Sequence, residues 1–217
     1  MSLKIKVYSD YVCPFCYLGK APLEEAIEGK DVEVEWMPFE LRPYPTEPLD
    51  PVHDPAKRRL WETTITPYAK RWGVDMKLPD VSPHPYTHLA FEGYQYAKEY
   101  GKGNEYNARV LQAFFKEEQN IGDIDILTRL AGEVGLNEAE FKKALETRKY
   151  REAHKEALQH AYVEAGITAV PTFVIGDQVI QGIASKENFE KIIQNELEKQ
   201  APVPFEGLVC DMDGACK

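Results

Sequence analysis

The sequence predicts an α/β fold in which a βαβ unit at the amino end and a ββα unit at the carboxyl end are separated by a long all-helical insertion. Three observations predict it. Residues 3–8 and 32–37 alternate apolar and polar as half-buried strands do, with a helix-like stretch between them. From about Asp54 to Gly166 strand patterns vanish and apolar residues recur at helical spacing. Strands then return at residues 168–175 and 178–181, followed by an amphipathic segment.

The first strand carries Leu3, Ile5 and Val7 on one face and ends at the Ser9-Asp10 turn. Pro14 then suits a first helical position, where no N–H bond is lost. A second proline, Pro22, predicts a kink near residues 19–22, and Gly29 ends the helix. The crossover into the second strand is right-handed almost by rule. Pro38, Pro43, Pro45, Pro48, Pro51 and Pro55 then forbid regular structure and mark a connection. Four to six helices follow, with Leu60, Trp61, Ile65 and Trp72, then Tyr106, Val110, Leu111, Phe114 and Phe115 as their apolar positions. Asp123 opens one helix; Asn137 opens another, with Glu140 completing a capping box, Leu136 stapling onto Phe141 and the run ending at Gly166. Gly176-Asp177 turns a hairpin, and Ser185 caps a last helix facing inward through Phe189, Ile192, Ile193 and Leu197. Residues 1–52 and 167–200 are thus expected to form one domain, residues 53–166 an insertion domain, and residues 201–217 an extension.

With 36 acidic against 26 basic residues and a net charge of −10, nucleic acid and anionic membranes are poor partners. No apolar run approaches the ~18 residues of a membrane span, and the amino end shows no signal-peptide block, so the expected compartment is the cytoplasm. Disulfides there are seldom structural. Nothing resembles a phosphate or dinucleotide loop.

The chemistry lies in Cys13-Pro14-Phe15-Cys16, set between a strand and a helix start. Thiols at this spacing sit one turn apart, beside unpaired N–H groups carrying roughly half a positive charge. Such a position lowers a thiol pKa from about 8.5 into a range of roughly 3.5–7.5. Cys13, at the exposed start, is the expected nucleophile, and the more shielded Cys16 resolves the mixed disulfide. Phe15 adds apolar surface suited to peptide-like partners. A Cys-x-x-Cys beside a βαβ pattern is a thioredoxin-like signature.

Together with Tyr17-Leu18-Gly19, the later Thr168-Ala169-Val170-Pro171-Thr172-Phe173 and the helical stretch between them, this motif resembles the DsbA family of thiol–disulfide oxidoreductases. Ser9-Asp10 and Phe15 look most like its cytoplasmic FrnE-like branch. The resemblance runs to about Glu198. It implies a thioredoxin fold, protein thiol–disulfide oxidoreductase or isomerase activity, a role under oxidative stress, and no cofactor beyond the redox-active disulfide. It implies protein thiols and disulfides, or glutathione, as partners. It also implies a cis Val170-Pro171 bond facing the dithiol, with Pro14, Phe15, Val170 and Pro171 meeting the substrate. Periplasmic members often carry His where Phe15 stands, so Cys13 is expected to be less strongly acidified here. Kappa-class glutathione transferases and hydroxychromene-carboxylate isomerases share this architecture but have Ser at the position of Cys13. A glutathione-dependent isomerase or transferase is therefore the alternative.

Cys210 and Cys216 are expected to form a second redox pair in the extension, with a passive tail disulfide formed by air oxidation as the alternative. A four-thiolate metal site joining them to Cys13 and Cys16 is the weaker reading, because their spacing is wider than a zinc knuckle's. His84 and His88 are candidates to line the cleft, whereas His154 and His160 read as helix surface. Tyr94, Tyr96, Tyr100 and Tyr106 read as helix packing.

Overall fold

The computed structural model describes residues 2–200. Strand β1 (Leu3–Ser9), helix α1 (Pro14–Ile27) and strand β2 (Val32–Pro38) form the opening βαβ unit. The two strands run parallel, with Leu3 opposite Val32 and Ser9 opposite Pro38, one residue further than the alternation suggested. Pro22 lies inside α1, which continues past it. Gly29, at φ +72°, takes the left-handed turn that releases the chain.

Strands β3 (Thr172–Ile175) and β4 (Gln178–Gln181) return as a hairpin around Gly176. β3 lies antiparallel to β1, with Ile5 opposite Ile175 and Tyr8 opposite Thr172. The sheet order is β2-β1-β3-β4, so the first strand is central and the fold is thioredoxin-like. β3 begins later than its sequence pattern, because residues 168–171 form a turn in which the Thr172 hydroxyl donates to the Ala169 carbonyl at 2.7 Å. Helix α9 (Lys186–Gln200) packs on α1 and β3 through the fully buried Phe189 and Ile193.

Between β2 and β3 run α2 (Pro55–Leu60) and α3 (Thr66–Arg71), joined by a π-helical turn at Trp61–Ile65. Then come α4 (His88–Glu99), α5 (Gly103–Phe115), α6 (Ile124–Glu133), α7 (Glu138–Glu146) and α8 (Arg151–Gln159), which passes into a second π-helical turn at His160–Glu164. Asp54, Asp123 and Asn137 all accept first-turn N–H groups. The capping box at Asn137 is half made: its side chain accepts from the Glu140 N–H at 3.0 Å, while the Glu140 carboxylate accepts from the Tyr96 hydroxyl at 3.5 Å. The run after Asn137 is two helices rather than one, broken where Arg148 adopts φ +54°. Gly166 does adopt a left-handed conformation, at φ +61°.

One buried cluster joins Leu3, Ile5 and Val7 of β1 to Tyr106, Phe114 and Leu127 of the insertion helices. A smaller one gathers Tyr8, Phe39, Ala161 and Ile167. Tyr94, Tyr96 and Tyr106 are buried as packing residues, whereas Tyr100 is exposed.

Candidate active site

β1 delivers the chain to its carboxyl end, where Ser9, Asp10, Tyr11 and Val12 are all buried. The Cys13 N–H donates to the Asp10 carbonyl at 3.1 Å, closing a turn that leaves Cys13 as the extended N-cap of α1. Its own carbonyl accepts from the Cys16 and Tyr17 N–H groups at 3.1 and 3.4 Å. The two cysteines, both free thiols, therefore bracket the first helical turn.

Cys16 is 1% exposed, as its place inside the helix requires, but Cys13 is also only 4% exposed. This corrects the expectation of an exposed thiol. The Cys13 sulfur is turned inward, donating to the Val170 carbonyl at 3.7 Å, while Pro14 and Phe15 take the half-buried positions around the helix start. The Cys16 thiol is pushed well above its ordinary pKa, first by burial and then by its hydrogen bond with Cys13. The peptide bond between the half-buried Val170 and the buried Pro171 is cis. Gly19 lets α1 approach this loop: a Cβ there would lie 3.1 Å from the Phe173 ring and 3.6 Å from Pro171.

Asp10, read from sequence only as a turn residue, is 1% exposed. Its carboxylate accepts from the Leu41 N–H at 2.7 Å and the Val12 N–H at 3.5 Å. One side chain so ties the dithiol turn to the exit of β2. Burial pushes its pKa up to about 7, outweighing the donors that favour the charged form. A cavity of about 10 Å³, close to one water's room, touches Asp10, Arg42, His84 and Thr87. It shares Arg42, Pro48 and Leu49 with a surface cavity of about 580 Å³. The available sequence signal was an acidic residue directly after an apolar strand.

The histidines divide differently from expectation. His84 is buried, pairs through Nδ1 with the Val81 carbonyl at 2.8 Å, and is held below its ordinary pKa by burial. His154, expected on the helix surface, is 3% exposed: its Nε2 donates to the buried Glu40 carboxylate at 2.6 Å and its ring stacks on Phe91. His160 is half-buried between the Tyr8 hydroxyl, at 3.2 Å, and Glu164, at 2.9 Å. Among the described residues no three His, Cys, Asp or Glu side chains converge as metal ligands. Cys210 and Cys216 lie outside the described residues.

A family model for a DSBA-like thioredoxin domain matches residues 4–194. Protein YwbO of Bacillus subtilis strain 168 is 66% identical over 200 residues, which is 92% of this chain and 100% of YwbO. A Streptomyces coelicolor structure described as a probable DsbA oxidoreductase superposes with a TM-score of 0.81 at 24% identity, over 99% of this chain and 98% of that one. The cytosolic disulfide reductase DsbM of Pseudomonas aeruginosa, solved with GSH, superposes with a TM-score of 0.63 at 19% identity, over 90% of this chain and 100% of its own. The two structures establish a shared fold.

Proposed function

The chain belongs to the DsbA-like thioredoxin family, and from that premise we propose that it is a protein thiol–disulfide oxidoreductase or isomerase with Cys13 as nucleophile and Cys16 as resolving thiol. The carrying observation is the asymmetry of the pair: Cys13 caps the helix with its sulfur against the Val170 carbonyl, while Cys16 is sealed behind it with a raised pKa. In the reducing direction the Cys13 thiolate attacks one sulfur of a substrate disulfide. The substrate S–S bond breaks, a mixed disulfide forms, and the leaving thiolate takes up a proton. Cys16 then loses its proton, attacks the Cys13 sulfur and expels the second substrate thiolate, so two electrons pass to the substrate and the Cys13–Cys16 disulfide forms. The oxidising direction is the reverse.

Pro14, Phe15, Val170 and Pro171 are assigned to substrate binding, a reading supported by the contact of the Cys13 sulfur with the Val170 carbonyl. Protein thiols and disulfides are the proposed partners. Glutathione is the proposed small co-substrate, a reading supported by the GSH in the DsbM structure. The cytoplasmic, FrnE-like assignment, with a role under oxidative stress, rests on the Ser9-Asp10 and Phe15 pattern. Among the described residues no helix is long and apolar enough to cross a membrane. Cys210 and Cys216 complete the proposal as a second redox pair.

The test is capture. A Cys16→Ser variant in cell extract is expected to accumulate mixed disulfides through Cys13 with several proteins, resolved by mass spectrometry after non-reducing separation. Adducts of glutathione alone would move the assignment to the glutathione-dependent class, and no adduct at all would remove Cys13 as the nucleophile. Wild-type turnover by a Cys210→Ser, Cys216→Ser variant would take the tail pair out of the scheme.

A further inference from the structure

A second cavity, of about 450 Å³, lies between the loop after β2, α4 and α8, and the dithiol chemistry does not use it. That volume is in the range of small-molecule sites, roughly 300–1,000 Å³. α8 supplies Arg151, His154, Lys155 and Leu158, spaced i, i+3, i+4 and i+7, so one face of the helix forms one wall. Glu92 of α4 and Glu40 of the loop form the floor. Both carboxylates are buried and already engaged: Glu92 accepts from Arg148 Nε and Nη2 at 2.9 and 2.6 Å, and Glu40 pairs with His154. Such buried pairs contribute little net stability, but they hold the floor rigid.

The cations at the rim are less occupied. Arg151 and Lys155 are exposed, and their carboxylate contacts are to solvent-facing Glu152, at 4.0 and 2.8 Å. Exposed pairs of this kind are weak and give way readily to a better anion. Among the lining residues, Arg148, Arg151 and Lys155 outnumber Glu40 and Glu92, in a chain whose net charge is −10. His88 adds no charge near neutrality, since burial and then Arg148 hold its pKa down. Pro43, Leu158 and the 73%-exposed Tyr44 supply apolar surface at the same mouth.

We propose that this cavity binds a small organic carboxylate, its charge held by Arg151 and Lys155 and its apolar body covered by Tyr44 and Leu158. A guanidinium fork matches a carboxylate's two oxygens, and the apolar wall favours a ligand with a hydrocarbon body over a bare inorganic anion.

The test is a titration of the full chain with hexanoate, followed by amide NMR at constant ionic strength, with inorganic phosphate and chloride as comparison anions. Saturable shifts in α8 and at residues 40–44 are expected with hexanoate. Arg151→Ala, Lys155→Ala should weaken them by about tenfold or more, with the rest of the spectrum unmoved because both side chains are exposed. Non-saturating shifts like those of chloride, equal binding by the double variant, or phosphate binding as tightly as hexanoate would each overturn the assignment.

Discussion

Cys13 and Cys16 differ in chemistry because α1 presents one at its start and buries the other. With iodoacetamide near pH ~6, Cys13 is expected to carry label well before Cys16, because burial holds the Cys16 thiol protonated and shielded. Peptide mapping checks this, and label on Cys16 first, or equal slow label on both, would reverse the roles. Asp10 gives a pH signature. The folded chain holds its proton to about pH 7, whereas the unfolded value is 3.8. Its contribution to stability is therefore full below about pH 4 and is lost as the pH rises through 7. Between pH 5 and 8 this amounts to about 2–3 kcal/mol. Asp10→Asn should flatten that decline in urea-unfolding curves, and a variant with the wild-type slope would show that another group carries it. The dithiol was legible from sequence because its signal is local. His154 was not, because its partner Glu40 is 114 positions away, and the inward turn of Cys13 depends on Val170 in the same non-local way.

At the level of elements, α4 and α5 cross where Gly93 removes a side chain. A Cβ there would lie 2.7 Å from the Phe141 ring and would collide with the Tyr106 hydroxyl, and both residues are fully buried. Gly93→Ala should lower the urea midpoint by an equivalent of about 1–3 kcal/mol, despite the up to ~1 kcal/mol that alanine offers a helix over glycine. An unchanged or raised midpoint would mean that the crossing relaxes without cost. Helix starts were legible wherever capping is contiguous, as at Asp123 and Asn137. The break between α7 and α8 was not, because neither glycine nor proline marks it. Arg148 bends there with its guanidinium on Glu92, 56 positions back in the chain.

For the whole molecule, the period-two patterns identified the strands but not their neighbours. The sequence order of motifs suggested that the two ends share one sheet, and the register of β1 with β3 fulfils that expectation. The central strand is thus made first and one of its two partners comes from the far side of the insertion. Roughly 130 residues separate β2 from β3. At ~5–20 residues per second of synthesis, the ribosome needs on the order of ten seconds to span them. During that interval β1 has an unpaired edge, and the helix start bearing Cys13 has no Val170 carbonyl to turn toward. A nascent chain therefore carries its reactive thiols before the half of the molecule that shelters them exists, which makes translation the period of greatest exposure to stray oxidation.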